Sequence, residues 1–139
     1  MTSVVVAGAG SIGSLLAAHL SRVADVTVLA RREEHAAALR EQGLRVSGRG
    51  DFTAGLDATA DPAALPADAE LAILACKSTD LESLAARLEG TLAGATVMTI
   101  QNGLGAEEIV AAHGDWPLLS AVTFMSGTRH GDAHVRSEE

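Results

Sequence analysis

The sequence SVVVAGAGSIG, residues 3–13, joins a run of apolar residues to a glycine-rich loop. An apolar run without alternation is typical of a strand buried on both faces of a parallel sheet. After the loop, apolar residues recur at helical spacing from Ile12 to Val23, which predicts a helix. A strand, a Gly-x-Gly-x-x-Gly loop and a helix in this order are typical of the first unit of a dinucleotide-binding fold.

Each position of the loop has a predicted role in holding a phosphate. Gly8 permits the tight turn, Gly10 lets the backbone approach a pyrophosphate, and Gly13 lets the helix pack closely on the strand. Backbone N–H groups of Ser11 and Ile12, at the start of the helix, are then predicted to bind the anion. The alternative is a tight strand–helix turn that binds no ligand.

The rest of the chain repeats the alternation of strand and helix. A helix with an acidic first turn begins at Glu33 and stops at Gly43, and Thr79 with Glu82 predicts a capping box for a later helix. Strands are predicted over residues 26–30, 71–75, 96–100 and 118–125, of which 71–75 is fully buried. An antiparallel excursion is predicted over 44–54 and a turn at 131–132. This pattern predicts an α/β fold of the Rossmann type, a doubly wound, mostly parallel sheet with helices on both faces.

Composition excludes several classes of protein. The 139 residues suit one dinucleotide-binding domain, residues 1–139, and a hydrophobic fraction of 47% excludes global disorder. A net charge of −8 argues against a nucleic-acid or anionic-membrane partner. One cysteine, no basic amino-terminal segment and no long apolar run favour a cytoplasmic location.

Two arginines close the second predicted strand and bear on the choice of cofactor. NAD-binding domains place an acidic residue about 20 residues beyond the loop to hold the ribose 2′-hydroxyl. This sequence has Arg31 and Arg32 there. A guanidinium matches a phosphate in two hydrogen bonds, so NADP(H) fits better. The alternative, strongest for Arg32, is pairing with Glu33, Glu34 or solvent.

Two polar clusters follow later strands, at the edge where such sheets bind ligands. Lys77 follows the third buried strand and can bind a carboxylate or phosphate as a point charge. Asn102, within Gln101-Asn102-Gly103, follows the fourth. The alternatives are a solvated lysine and a bare Asn-Gly turn.

These elements together resemble the ketopantoate reductase (2-dehydropantoate 2-reductase) family. The matching pieces are the glycine motif at residues 8–13, Arg31, Ala75-Cys76-Lys77, residues 101–105 and the stretch 123–135. The resemblance runs through the whole chain in order.

The resemblance implies a reaction and roles for three residues. Arg31 would bind the 2′-phosphate of NADPH, while Lys77 and Asn102 would lie near both cofactor and the 2-keto acid substrate. The reaction implied is hydride transfer from NADPH to the 2-keto group of ketopantoate, on the route to pantothenate and coenzyme A. The family takes its general-acid lysine from a second, helical domain, which we expect to be absent from these 139 residues. They would then be a fragment of a longer protein, be completed by a partner, or bind cofactor without turnover. We therefore expect no catalytic residue here and no activity of the isolated chain, and leave a homo-oligomer open.

Two other functions compete with this interpretation. One is a non-enzymatic nucleotide-sensing Rossmann module, against which Arg31 argues because such domains usually carry an acidic residue there. The other is the cofactor domain of another 2-hydroxyacid dehydrogenase, which would look the same over this chain.

The remaining candidates are predicted to be structural. Cys76 beside Lys77 is expected to fill space rather than react. His130 and His134 have a metal-like spacing, but the two-residue turn between them predicts opposite faces of a hairpin and no metal site. His19 and Trp116 are expected to pack.

Overall fold

The predicted strand at the start of the chain, β1, lies at the centre of a six-stranded parallel sheet. The computed structural model describes residues 2–101, 105–122 and 127–138. The first half of the chain contains β1 (Ser3–Ala7), α1 (Ser11–Leu20), β2 (Asp25–Leu29), α2 (Glu33–Gln42), β3 (Leu44–Gly48), β4 (Phe52–Ala54), β5 (Asp57–Thr59) and a 3-10 helix (Pro62–Ala64). The second half contains β6 (Leu71–Leu74), a 3-10 helix (Ser78–Asp80), α3 (Leu81–Arg87), β7 (Thr96–Thr99), α4 (Ala106–Ala111), β8 (Leu118–Ser120), β9 (Gly127–Gly131) and β10 (His134–Ser137).

The large sheet has the strand order of a doubly wound fold. Its strands run β5-β2-β1-β6-β7-β8, and every neighbouring pair is parallel. The order reverses at β1, with β2 on one side and β6 on the other. Ligands of open parallel sheets bind at this reversal, beyond the carboxyl ends of the strands.

Both faces of β1 are covered, which explains its unbroken apolar run. Val4 and Val6 belong to one core cluster, together with residues of α1 and α2. Val5 and Ala7 belong to the other, together with residues of α3 and α4. The predicted fold class, with helices on both faces, is therefore confirmed.

A second sheet covers the outer side of α1. Its order is β4-β3-β10-β9, in which β3–β4 and β9–β10 are antiparallel hairpins and β3–β10 is parallel. Val46 and Val135 are fully buried and share a core cluster with Leu15 of α1. The first hairpin agrees with the predicted excursion. The second turns at residues 132–133, one residue later than predicted, because Gly131 still belongs to β9. The union of the two hairpins into one sheet was not predicted.

Several local predictions were wrong. α1 ends at Leu20, so Val23 lies beyond it and is 71% exposed. The residues around Thr79 form a 3-10 helix, α3 begins at Leu81, and no side chain caps it. β5 was not predicted. β8 ends at Ser120, and residues 123–125 of that predicted strand lie outside the described part.

Trp116 is half-buried and packs as expected, whereas His19 is exposed and contacts the neighbouring Phe52 ring. The His19 ring meets Phe52 edge-on at 5.2 Å between centroids, and the Trp116 indole N–H donates to the Thr91 carbonyl at 3.1 Å. Within the described ranges, none of the helices combines the length and apolar character needed to cross a membrane.

Candidate functional site

The glycine loop turns sharply between β1 and α1. Gly8 has φ +110°, a conformation that favours glycine, and a Cβ there would lie 3.0 Å from backbone atoms of Ala75 and Cys76. The Gly8 N–H still donates to the Leu29 carbonyl at 3.0 Å, so pairing with β2 continues into the turn. Gly8 is therefore required by the turn, as predicted.

The other two glycines of the motif lie in opposite surroundings. A Cβ on Gly13 would lie 2.0 Å from the Gly8 carbonyl oxygen, so only glycine lets α1 approach the end of β1 this closely. A Cβ on Gly10 would meet nothing within 4 Å. Space is thus open beside Gly10 on an exposed part of the loop, which fits the predicted approach of a pyrophosphate.

The amino terminus of α1 is suited to an anion. Gly10 supplies no side-chain cap, and the first turn, which holds Ser11 and Ile12, has no acidic residue. By contrast, the first turn of α2 carries Glu33 and Glu34. The first N–H groups of a helix have no partner within it and carry the positive end of its dipole. Phosphate oxygens are natural acceptors for the N–H groups of this turn.

Arg31 and Arg32 have different partners. The Arg31 side chain is 76% exposed, and its Nη2 lies 3.5 Å from Oδ1 of Asp80. Arg32 instead donates from Nη2 to Oδ1 of Asp132 at 2.8 Å. The alternative of pairing with Glu33 or Glu34 is thus wrong for Arg32, because folding brings the turn between β9 and β10 alongside the end of β2. Of the two arginines, Arg31 therefore has the more exposed side chain beyond the carboxyl ends of the strands.

Asp132 also joins a buried histidine to this cluster. Its Oδ1 lies 4.0 Å from Nδ1 of His35 and 3.7 Å from Arg129. Burial lowers the pKa of His35 more than the Asp132 carboxylate raises it. The His35 ring is therefore neutral at pH 7, and Asp132 remains available to the arginines.

Lys77 lies just beyond the carboxyl end of β6. It directly precedes the 3-10 helix at 78–80 and its side chain is exposed. Among the described residues, its ammonium has no hydrogen-bond or ion-pair partner. Its predicted role as a point charge toward a carboxylate or phosphate stays a prediction.

Gln101 joins the ends of two strands. Its side-chain amide donates to the carbonyls of Leu74 at 2.7 Å and Cys76 at 2.9 Å, which ties the end of β7 to the segment that leads to Lys77. Its Oε1 is buried and has no hydrogen-bond partner in the described structure. Sequence reasoning gave Gln101 no separate role, although an amide directly after a buried strand was the available signal. The predicted roles of Asn102 and Gly103 concern residues outside the described part.

Cys76 is not an activated thiol. Burial, with a smaller effect from the Asp80 carboxylate, raises its pKa to about 11. The side chain is therefore a neutral thiol at pH 7, and it packs against a core cluster. This supports the expectation that Cys76 fills space.

His130 and His134 lie together, which corrects the prediction of opposite faces. Their ring centroids are 5.3 Å apart, because the register shifts between His134 and Val135. His134 is also within hydrogen-bond distance of the Ser47 hydroxyl, at 2.8 Å from Nε2 to Oγ. Over residues 2–101, 105–122 and 127–138, no group of three or more potential metal-ligating side chains is present.

Comparison with known proteins identifies the family. A family model described as ketopantoate reductase PanE/ApbA matches residues 4–139. A 2-dehydropantoate 2-reductase of Halobacterium salinarum is 41% identical over 137 residues, which cover 95% of this chain and 43% of that protein. The crystal structure of a PanE/ApbA family ketopantoate reductase from Ralstonia eutropha superimposes with a TM-score of 0.91 at 29% identity, covering 99% of this chain and 47% of that one.

A probable 2-dehydropantoate 2-reductase from Bacillus subtilis has a TM-score of 0.86 at 28% identity, covering 98% of this chain and 46% of that one. The chain thus spans less than half the length of these relatives. The family-model match and the structural superpositions each cover almost the whole chain. The chain belongs to the ketopantoate reductase PanE/ApbA family.

Proposed function

We propose that these 139 residues form the NADPH-binding part of a 2-dehydropantoate 2-reductase. The observation that carries the proposal is the open space beside Gly10 at an uncapped helix start, on the edge where Arg31 closes β2. When bound, NADPH supplies the hydride that reduces the 2-keto group of ketopantoate. The chain's own contribution is to bind and orient both molecules.

Arg31 supports NADPH as the preferred cofactor. Its guanidinium is a planar set of donors that matches a phosphate dianion, and it has no acceptor for a ribose 2′-hydroxyl. Arg32, held by Asp132, contributes positive charge nearby but not a free guanidinium. The first-turn N–H groups of Ser11, Ile12 and Gly13 would bind the pyrophosphate.

Lys77 and Asn102 are proposed to position the keto acid. The exposed Lys77 ammonium would attract the substrate carboxylate, and the Gln101 amide would hold the segment that carries it. Because the relatives are about twice as long, we propose that the general acid and the remaining substrate contacts come from outside these residues.

The experiment is calorimetric titration of the chain with NADPH and NADH, using three variants. NADPH is expected to bind about ten- to a hundredfold more tightly than NADH, and Arg31→Ala is expected to remove most of that difference. Gly10→Val is expected to abolish binding of both cofactors while the melting temperature stays close to wild type.

Gly55→Val is the matched control, because a Cβ on Gly55 also meets nothing within 4 Å but lies between β4 and β5. It should bind both cofactors normally. Equal affinities for the two cofactors would refute the NADPH assignment. Normal binding by Gly10→Val would show that the phosphates lie elsewhere.

A further inference from the structure

The cation proposed to receive the 2′-phosphate is already paired with a carboxylate. Arg31 Nη2 and Asp80 Oδ1 are 3.5 Å apart, and the Asp80 side chain is 42% exposed. Arg31 lies in the short segment between β2 and α2, whereas Asp80 is the last residue of the 3-10 helix after β6. Since β2 and β6 flank β1, this ion pair connects the two sides of the glycine loop.

Asp80 has no evident structural role at this position. It occupies the cap position of α3, but its side chain makes no capping hydrogen bond. Its charge acts on the same sheet edge, where it contributes to the raised pKa of Cys76. Arg32 cannot replace Arg31 as the phosphate-binding cation without breaking its hydrogen bond to Asp132. Phosphate binding at this position therefore depends on Arg31, whose ion-pair partner is Asp80.

We infer that Asp80 is a specificity-determining residue, an inference that rests on the proposed function. Asp80 competes with the 2′-phosphate of NADPH for Arg31 and so reduces the preference for NADPH over NADH. A carboxylate accepts hydrogen bonds from the guanidinium and repels a phosphate dianion. It does not repel a ribose 2′-hydroxyl, which can donate to it. NADPH binding therefore works against Asp80, and NADH binding does not.

The expected effect is modest because the pair is exposed. Exposed ion pairs shift an equilibrium by a factor of roughly two to five. Asp80→Asn is therefore expected to tighten NADPH binding about two- to fivefold. NADH affinity is expected to stay the same, because asparagine keeps an acceptor oxygen and the fold does not use the charge.

The test measures the ratio of NADPH to NADH affinities by calorimetry for wild type and Asp80→Asn. Asp51→Asn is the matched control: Asp51 lies 3.6 Å from Arg45 in a similarly exposed pair on the other sheet, and the change in net charge is the same. The double variant Arg31→Ala/Asp80→Asn, compared with Arg31→Ala, shows whether Asp80 acts through Arg31.

A rise in the ratio for Asp80→Asn alone, absent in the Arg31→Ala background, is the result expected. An unchanged ratio would overturn the inference while leaving cofactor binding intact. An equal rise for Asp51→Asn, or a full rise without Arg31, would also overturn it. If the wild-type chain binds neither cofactor, the proposed function itself fails, so the two failures are distinguishable.

Discussion

Gly13→Ala is expected to destabilise the domain strongly, whether or not a cofactor is present. The added Cβ would lie 2.0 Å from the Gly8 carbonyl oxygen, 3.0 Å from its carbon and 3.1 Å from Ala75 Cβ. Carbon–oxygen contacts normally lie beyond about 3.3 Å. Either α1 or the end of β1 must therefore move by about an ångström, and both belong to the buried core.

The free-energy cost follows from two opposing effects. Overpacking a well-packed site costs typically 1–3 kcal/mol, and more where backbone must shift. Alanine regains about 1 kcal/mol of helix propensity at this position of α1. Because backbone must shift at Gly13, we take the cost of overpacking at about 3–4 kcal/mol, above the typical range. Subtracting the gain in helix propensity leaves a net loss of about 2–3 kcal/mol, which lowers the melting temperature by roughly 10 °C in a domain of this size.

The assay is thermal unfolding followed by circular dichroism, with Gly10→Ala as the matched control. Gly10 has φ −77° and open space at its Cβ, so the same added methyl group should change the melting temperature by no more than about 2 °C. If Gly13→Ala has the same melting temperature as wild type, the close approach of α1 to β1 is not needed for the fold. A large fall in the melting temperature of Gly10→Ala would contradict the open space beside Gly10.

Three further predictions concern other parts of the chain. Gln101→Leu should lower the free energy of unfolding by about 1–3 kcal/mol in urea titrations, because two carbonyls lose their donor. The hydrogen bond to Glu89, and to a smaller extent the one to Glu82, raises the pKa of His113. Wild type should therefore exceed His113→Gln in melting temperature below about pH 6.5, and the difference should disappear as the pH rises through the native pKa. With NADPH and ketopantoate, the chain alone should turn over far below ~1 s⁻¹, measured by NADPH absorbance.

Each of these has a contradicting outcome. Unchanged stability of Gln101→Leu would mean that solvent satisfies those carbonyls equally well. A difference between wild type and His113→Gln that does not vary with pH would exclude the two carboxylate contacts as its source. Turnover at ~1 s⁻¹ or faster would show that these residues, or an assembly of them, build a complete active site.

Local chemistry makes the central part of this fold predictable from the amino-acid sequence. A strand buried on both faces must be apolar throughout, and a turn with positive φ needs glycine, so β1 and Gly8 are visible in the sequence itself. The arginine after β2 is equally visible, because the distance from the loop to the end of the second strand is set by one helix and two short turns. These features depend on neighbours a few residues away.

The pairings between distant segments were decided by the tertiary structure alone. Nothing in the local pattern of β3 or β10 indicates that they pair in parallel, or that the register shift beside His134 brings it next to His130. The contacts of Arg31 with Asp80 and of Arg32 with Asp132 likewise depend on which strands lie side by side. The physical reason is that strand order and register result from burying the whole apolar surface at once, so the partner of a charged side chain at a sheet edge is chosen by the packing of residues far from it.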